Sequence, residues 1–265
     1  MSSKKTHPLQ DLRVVVTRPL AQARAFRILL EKAGARVFLF PSIEISPLEG
    51  EKKQRMEGHL RRAQVGDYDG ILFTSTNAVT TLKSLLEEMS TPLRKFPGRI
   101  FCIGPKTQRA LNPLRVKSCI PEVATAEGMF KFLEETFPKL EGKSFLFPQA
   151  EGGRTYLQDQ LRLRGARVDV PVAYRTQFVQ NPSRPLPTHF DWLTFTSPSC
   201  VEGYRRLSTL NEGVKIAVIG PTTQKAVQAV GWPVHACPEK PSLENMIRAM
   251  SNPPSGSDEP GAGIP

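Results

Sequence analysis

The chain contains the pattern Tyr68-Asp-Gly-Ile-Leu-Phe-Thr-Ser-Thr-Asn-Ala-Val79 twice, and this duplication indicates its architecture. The second copy, Phe190-Asp-Trp-Leu-Thr-Phe-Thr-Ser-Pro-Ser-Cys-Val201, follows 122 residues later. Each copy has an acidic turn, a short apolar run ending in Phe-Thr-Ser, and then apolar residues at helical spacing. A short apolar run bounded by turn residues predicts a buried parallel strand. A serine just before the helical segment predicts an N-cap, so each copy predicts strand, tight turn and helix.

The repetition extends beyond this motif. Residues 99–111 match residues 215–227, and residues 30–37 match residues 161–168. A period this long is not that of a solenoid, whose repeats are short. Strands that alternate with helices predict a parallel sheet covered on both faces. The sequence therefore predicts an α/β fold of two pseudo-repeated lobes, each a parallel sheet flanked by helices. Two extended segments, 41–48 and 171–179, can pair as an antiparallel ribbon that crosses between the lobes.

The charge balance favours an anionic partner. The 265 residues include 36 Lys and Arg against 25 Asp and Glu, a formal net charge of +11. Such an excess suits nucleic acid, anionic lipid or a small molecule with many carboxylates or phosphates, although a solvated basic surface is the plain alternative. Most aromatic residues fall in predicted strands, where we expect them to pack in the core. This argues against a surface that binds nucleic acid. We expect no nucleic acid and no membrane among the partners.

The localisation follows from what the sequence lacks. No apolar run reaches the roughly 18 residues of a membrane helix, and residues 1–10 are polar, unlike a signal peptide. The four cysteines have no CxxC spacing, which indicates reduced thiols. We therefore expect a cytoplasmic protein.

The carboxyl ends of the predicted strands are the candidate binding site. Ligands of open parallel sheets bind at this edge, and free N–H groups at helix N-termini attract anions. Ordinary helix capping is the alternative for any single position. The strand-end residues taken as candidates for substrate binding are Thr17, Arg18, Ser75, Thr76, Gly104, Thr107, Arg154, Ser197, Ser199, Gly220, Thr222 and Thr223. Gln149 stands at the same strand end as Arg154, and Arg175 is a further candidate on charge.

The usual catalytic signatures are missing. The sequence has no G-x-G-x-x-G, no P-loop, no HExxH and no G-x-S-x-G, and its four histidines are scattered. We expect no metal and no nucleotide cofactor. Any catalysis would then depend on positioning the substrate and on a single acid.

The ordered motifs resemble the uroporphyrinogen-III synthase family over residues 13–250. The motifs that carry the resemblance are Phe-Thr-Ser at 73–75 and 195–197, Thr17-Arg18-Pro19, Ile-Gly-Pro-x-Thr at 219–223, the two Gly-Ala-Arg-Val segments, and Pro-Val-Ala-Tyr-Arg-Thr at 171–176. The resemblance implies two lobes joined by a two-stranded β hinge. The implied boundaries are 1–41 with 178–251 for a discontinuous first lobe, 47–170 for the second, 42–46 and 171–177 for the hinge strands, and 252–265 for a disordered tail.

The implied activity is a lyase reaction that needs no cofactor: dehydrative cyclisation of hydroxymethylbilane, a linear tetrapyrrole with eight carboxylates, with inversion of ring D through a spiro intermediate. This is a step of haem biosynthesis. Tyr174 matches the tyrosine of the family's hinge segment, and a phenol keeps its proton at neutral pH. Binding roles are carried over to Ser75, Thr107, Ser197, Thr222 and Thr223, whereas the arginines are chosen on charge alone. We expect a monomer.

Two other classes of protein remain open at this point. A non-catalytic two-lobed binder of small polyanions would share the architecture. A basic nucleic-acid-binding domain would show binding to arbitrary DNA that weakens steeply with salt. A tyrosine that only packs within a hinge strand is the alternative for Tyr174.

Overall fold

The computed structural model describes residues 7–252, which contain both strands and α-helices. The strands are β1 (Arg13–Val16), β2 (Arg36–Leu39), β3 (Ile43–Ser46), β4 (Gly70–Phe73), β5 (Arg99–Cys102), β6 (Ser144–Leu146), β7 (Gln149–Ala150), β8 (Arg167–Asp169), β9 (Val172–Phe178), β10 (Trp192–Phe195) and β11 (Lys215–Val218). The helices are α1 (Leu20–Lys32), α2 (Gly50–Gln64), α3 (Thr76–Glu88), α4 (Pro105–Ala110), α5 (Ala126–Thr136), α6 (Tyr156–Leu163), α7 (Pro198–Leu207), α8 (Pro221–Ala229) and α9 (Leu243–Ser251). The predicted disordered tail lies outside the described residues from position 253 onward.

The described chain forms two compact units. Unit 1 contains residues 7–44 and 177–252, and unit 2 contains residues 45–176. Unit 1 is therefore discontinuous in sequence, whereas unit 2 is a single stretch. None of the helices within residues 7–252 is long and apolar enough to cross a membrane.

Unit 1 is built on a four-stranded parallel sheet in the order β11-β10-β1-β2. Successive side chains of a strand point to opposite faces, and β1 shows this directly. Val14 and Val16 pack with α1 and α9, whereas Val15 packs with α7 and α8. Because both faces are covered, the strand is apolar at all three positions, as expected for a buried parallel strand.

Unit 2 repeats this architecture with the order β5-β4-β6-β8, again parallel throughout. Ile71 and Phe73 of β4 belong to one core with α2 and α3, and Leu72 belongs to a second core with α5 and α6. The two sheets correspond strand by strand: β11 to β5, β10 to β4, β1 to β6, and β2 to β8. The predicted fold class of two related parallel sheets flanked by helices is confirmed.

The chain passes out of unit 1 in β3 and returns to it in β9. These strands are neighbours in a three-stranded sheet with the order β3-β9-β7. The expected ladder had two strands, and the difference is β7, which pairs in parallel with β9 through Gln149 and Ala150. The third strand extends the sheet directly beside Tyr174, because Ala150 is its register partner.

Candidate functional site

Two serines begin the helices that follow the duplicated strands. Ser75 Oγ accepts a hydrogen bond from the backbone N–H of Asn77 at 3.1 Å, at the start of α3. Ser197 Oγ accepts one from the N–H of Cys200 at 3.3 Å, at the start of α7. Both helices therefore start at the predicted N-caps, and each cap satisfies an N–H that the helix itself leaves unpaired.

Tyr174 is joined to the first of these serines. Its phenolic oxygen lies 2.9 Å from Ser75 Oγ, a hydrogen-bond distance. Tyr174 is 7% exposed and belongs to the core that includes Ile71 and Phe73. The ring is thus fixed by packing, and its hydroxyl is fixed at the carboxyl end of β4. Within unit 2 the structure brings together the predicted catalytic residue and one predicted binding residue.

A glycine stands immediately before each helix that follows β5 and β11, the strands next to β4 and β10. Gly104 precedes α4 and Gly220 precedes α8. A Cβ on Gly220 would lie 2.8 Å from Pro241 Cγ, so only glycine permits this approach of the chain. Thr107 and Thr223, three residues after these glycines, are both buried, whereas Thr222 is exposed.

The hydroxyl of Thr17, at the carboxyl end of β1, forms a hydrogen bond within the sheet. This hydroxyl donates to the carbonyl oxygen of Thr194 at 2.8 Å, and Thr194 in turn donates to the carbonyl of Val15 at 2.8 Å. Thr17 is fully buried. The hydroxyl predicted to meet a ligand thus connects β1 to β10 in the structure.

Arg18, the next residue, has a buried guanidinium. The side chain is 7% exposed, and its Nη2 donates to Gln22 Oε1 at 3.2 Å. Its Nε and Nη1 have no hydrogen-bond partner within residues 7–252. Burial lowers the pKa of Arg18, while electrostatic interaction with Cys200 opposes this shift. The guanidinium is therefore buried with two of its nitrogen donors unused within the described residues.

The remaining predicted residues are more exposed. Arg154 is at the surface, and Thr76 is half-buried in the first turn of α3. Ser199 is half-buried, with its Oγ 3.3 Å from Ser197 Oγ.

Sequence reasoning missed the role of Glu151 beside Tyr174. The backbone N–H of Glu151 donates to the carbonyl of Tyr174 at 3.0 Å, and its carboxylate accepts hydrogen bonds from Lys52 and Arg175. These two cations lower the pKa of the Glu151 carboxyl. Arg175 thus shares with Lys52 a carboxylate that no local sequence pattern connects with it.

Together these features define an open α/β protein of duplicated units, with hydroxyl and N–H donors at the carboxyl edge of each sheet. The family model described as "Uroporphyrinogen-III synthase HemD" matches residues 24–248. The chain therefore belongs to the uroporphyrinogen-III synthase family, whose members are enzymes of tetrapyrrole and haem biosynthesis.

Relatives support the family across nearly the whole chain. A protein of Methanothermobacter thermautotrophicus is 32% identical over 255 residues, which cover 90% of this chain and 97% of that protein. The uroporphyrinogen-III synthase of Synechococcus elongatus is 28% identical over 260 residues, covering 92% of this chain and 96% of the relative.

Solved structures show the same fold. A mutant uroporphyrinogen III synthase from the extremely thermophilic bacterium Thermus thermophilus superposes with a TM-score of 0.61 at 20% identity, covering 90% of this chain and 97% of that one. The uroporphyrinogen-III synthetase of Helicobacter pylori gives a TM-score of 0.59 at 20% identity, covering 90% and 97%. At this identity the likeness concerns the fold alone.

Proposed function

We propose that this chain is a cyclising lyase that converts hydroxymethylbilane into uroporphyrinogen III. The hydroxyl of the hydroxymethyl group on ring A takes up a proton and leaves as water, driven by the lone pair of the adjacent pyrrole nitrogen, and the methylene carbon remains on ring A as an electrophilic azafulvene. Ring D attacks through its substituted carbon to give a spiro intermediate, which rearranges with ring D inverted. Water and the cyclic product account for all atoms of the substrate, and no electrons are exchanged with an external partner.

The observation that carries the proposal is the hydrogen bond between Tyr174 and Ser75. A phenol that is packed in the core and hydrogen-bonded at its oxygen is a fixed proton donor. We assign the Tyr174 O–H as the acid that protonates the departing hydroxyl. Ser75 Oγ orients it, because the serine is itself held by the N–H of Asn77.

The enzyme's larger task is to choose between two ring closures. The azafulvene closes without inversion when it is free in solution, since attack through the unsubstituted end is less crowded. Holding the chain so that the crowded attack is faster is catalysis by orientation, which can supply several orders of magnitude in rate. Eight substrate carboxylates fit a protein of net charge +11.

We also infer that the enzyme is a cytoplasmic monomer. Support for a reducing compartment comes from the four cysteines, all of which are free thiols. Sedimentation equilibrium of the purified chain would test the monomer.

The test of the activity is product analysis. Freshly prepared hydroxymethylbilane is incubated with the protein, the products are oxidised, and the uroporphyrin isomers are separated by chromatography. We expect mostly the type III isomer, against type I in a protein-free control. Type I alone would refute the cyclase and favour the alternative, a two-unit binder of polyanions.

A further inference from the structure

Three buried side chains within the described residues have polar atoms without a partner: Arg18, Gln149 and the hydroxyl of Tyr204. Arg18 and Gln149 are considered together, because both carry N–H donors at strand ends. Each is 7% exposed. Arg18 Nε and Nη1 and Gln149 Nε2 are buried without a hydrogen-bond partner within the described part of the chain. A buried donor that has lost water and gained no partner destabilises the folded state, and a buried charge does so more strongly. Such groups therefore need an explanation, and an absent ligand is one.

The two residues occupy the same position in the duplicated architecture. β1 lies beside β10, and β6 lies beside β4, the strands of the two motif copies. Val14 pairs with the first residue of β10, and Phe145 pairs with the first residue of β4. These two first residues occupy the same position in the duplicated motif, so Val14 and Phe145 are equivalent. Arg18 and Gln149 each follow four residues further along the chain. The unused donors thus appear twice, independently, at the same carboxyl strand end.

We propose that Arg18 and Gln149 are equivalent carboxylate-binding residues, one in each unit, and that each binds an acidic side chain of the tetrapyrrole. The identity of the ligand rests on the proposed function, whereas the anion sites rest on the donors alone. A guanidinium donates charge-assisted N–H bonds to a carboxylate, and a primary amide donates one or two neutral ones. Unit 1 therefore holds its carboxylate with a charge and unit 2 with a neutral donor.

Each donor lies close to a side chain or a loop of its own unit. Among the residues that the structure describes, the Arg18 guanidinium donates from Nη2 to the side chain of Gln22 in the first turn of α1. Gln149 lies against Gly153, where an added Cβ would stand 2.2 Å from Gln149 Oε1. Gly152 has a φ of +69°, so the loop of residues 151–154 depends on glycine for its conformation. An incoming carboxylate would displace a side chain in unit 1 and this loop in unit 2.

A purely structural role makes the opposite prediction for stability. If Arg18 or Gln149 supported the fold, replacing it with an apolar residue of similar length would lower the melting temperature of the free protein. If its donors await a ligand, the same change removes an unsatisfied polar group, so the melting temperature stays level or rises. Ligand binding falls in the second case only.

The experiment compares Arg18→Met and Gln149→Met with Arg24→Met. Arg24 is an exposed residue of α1, the helix that follows Arg18, so its replacement removes equal charge without touching a buried donor. Binding of uroporphyrin III is followed by fluorescence quenching, and melting temperatures are measured without ligand. We expect R18M and Q149M each to weaken binding about tenfold or more, as loss of a charge-assisted or buried hydrogen bond does. Binding by R24M should change less than about twofold, because an exposed charge contributes little.

Wild-type affinity in both R18M and Q149M would overturn the proposal, and so would a lower melting temperature of the free variants with affinity unchanged. If R18M does not fold, Q149M decides alone. The isomer assay of the wild-type protein separates the two hypotheses. Type III product together with unaltered binding by the variants would refute the carboxylate sites and support the cyclase activity. Type I product together with weakened binding by the variants would refute the cyclase activity and support the anion sites.

Discussion

Replacing Tyr174 with phenylalanine removes the phenolic proton and leaves the ring in the core. General acid catalysis contributes about 10²–10⁴ in rate. We expect kcat to fall about a hundredfold, the lower end of that range, because Ser75 Oγ remains 2.9 Å from the vacated position and can donate in part. That loss corresponds to about 2.7 kcal/mol in the barrier. The stability cost is smaller, since one neutral hydrogen bond contributes about 1 kcal/mol, or about 3 °C in melting temperature.

Tyr68→Phe is the matched control. Tyr68 is also a buried tyrosine of unit 2, and its hydroxyl donates to Asp169 Oδ2 at 2.7 Å. It precedes β4, at the opposite end of the strand from Ser75. A hydrogen bond to a carboxylate contributes about 1.5–3 kcal/mol, so Y68F should destabilise the protein more than Y174F does. Its kcat should nevertheless match the wild type at a temperature where both are folded.

The assay measures initial rates of uroporphyrinogen formation over a range of hydroxymethylbilane concentrations, with thermal unfolding of the same samples. KM should change little in Y174F, because the proton donor acts in the transition state. Equal kcat values for Y174F and the wild type would exclude Tyr174 as the acid. A loss of activity in Y68F as large as in Y174F would mean that the rate follows stability and that the phenol has no chemical role.

Two further predictions concern stability. Burial lowers the pKa of His59, although Asp169 opposes this shift. The imidazole of the unfolded chain therefore takes up a proton below about pH 6.5, before the folded protein does. The free energy of unfolding should consequently decrease as the pH is lowered from 7.5 to 5.5. His59→Gln should flatten that dependence in urea titrations, and a wild-type slope equal to that of H59Q would contradict the assignment. Gly203→Ala should destabilise unit 1 by about 1–3 kcal/mol, because the new Cβ would lie 2.4 Å from the carbonyl oxygen of Ser42. Gly58→Ala, inside α2 with nothing within 4 Å of its Cβ, should instead stabilise the protein by about 0.5–1 kcal/mol, and thermal unfolding that ranked the two alanine variants in the opposite order would be inconsistent with this packing.

The parts of the fold that are encoded locally were predictable from the sequence. The strands and helices of the duplicated motif follow from a short apolar run, a capping serine and helical spacing, all within twelve residues. Strand β7 was missed because it has only two residues, Gln149 and Ala150. Its extended conformation comes from pairing with β9, which is a tertiary interaction that no short window of sequence records.

Residues at strand ends could be selected from the sequence, but the directions of their side chains could not. The strand-end pattern selected Thr17 and Arg18 equally, yet the Thr17 hydroxyl points to the carbonyl of Thr194 and the Arg18 guanidinium keeps unused donors. The hydrogen bond between Ser75 and Tyr174 joins residues 99 positions apart. No periodicity relates them, so only the folded chain could reveal the contact.

The discontinuity of unit 1 has a consequence for synthesis on the ribosome. β1 lies inside its sheet, between β2 and β10, but Trp192, the first residue of β10, is made 176 residues after Val16, the last of β1. At a translation rate of about 5–20 residues per second, one edge of β1 stays unpaired for roughly 10–35 s until β10 is made. Unit 2 is contiguous, so it can fold completely within that interval. The edge formed by Val14, Val15 and Val16 is then an exposed apolar strand on the nascent chain, where chaperone binding or aggregation would begin.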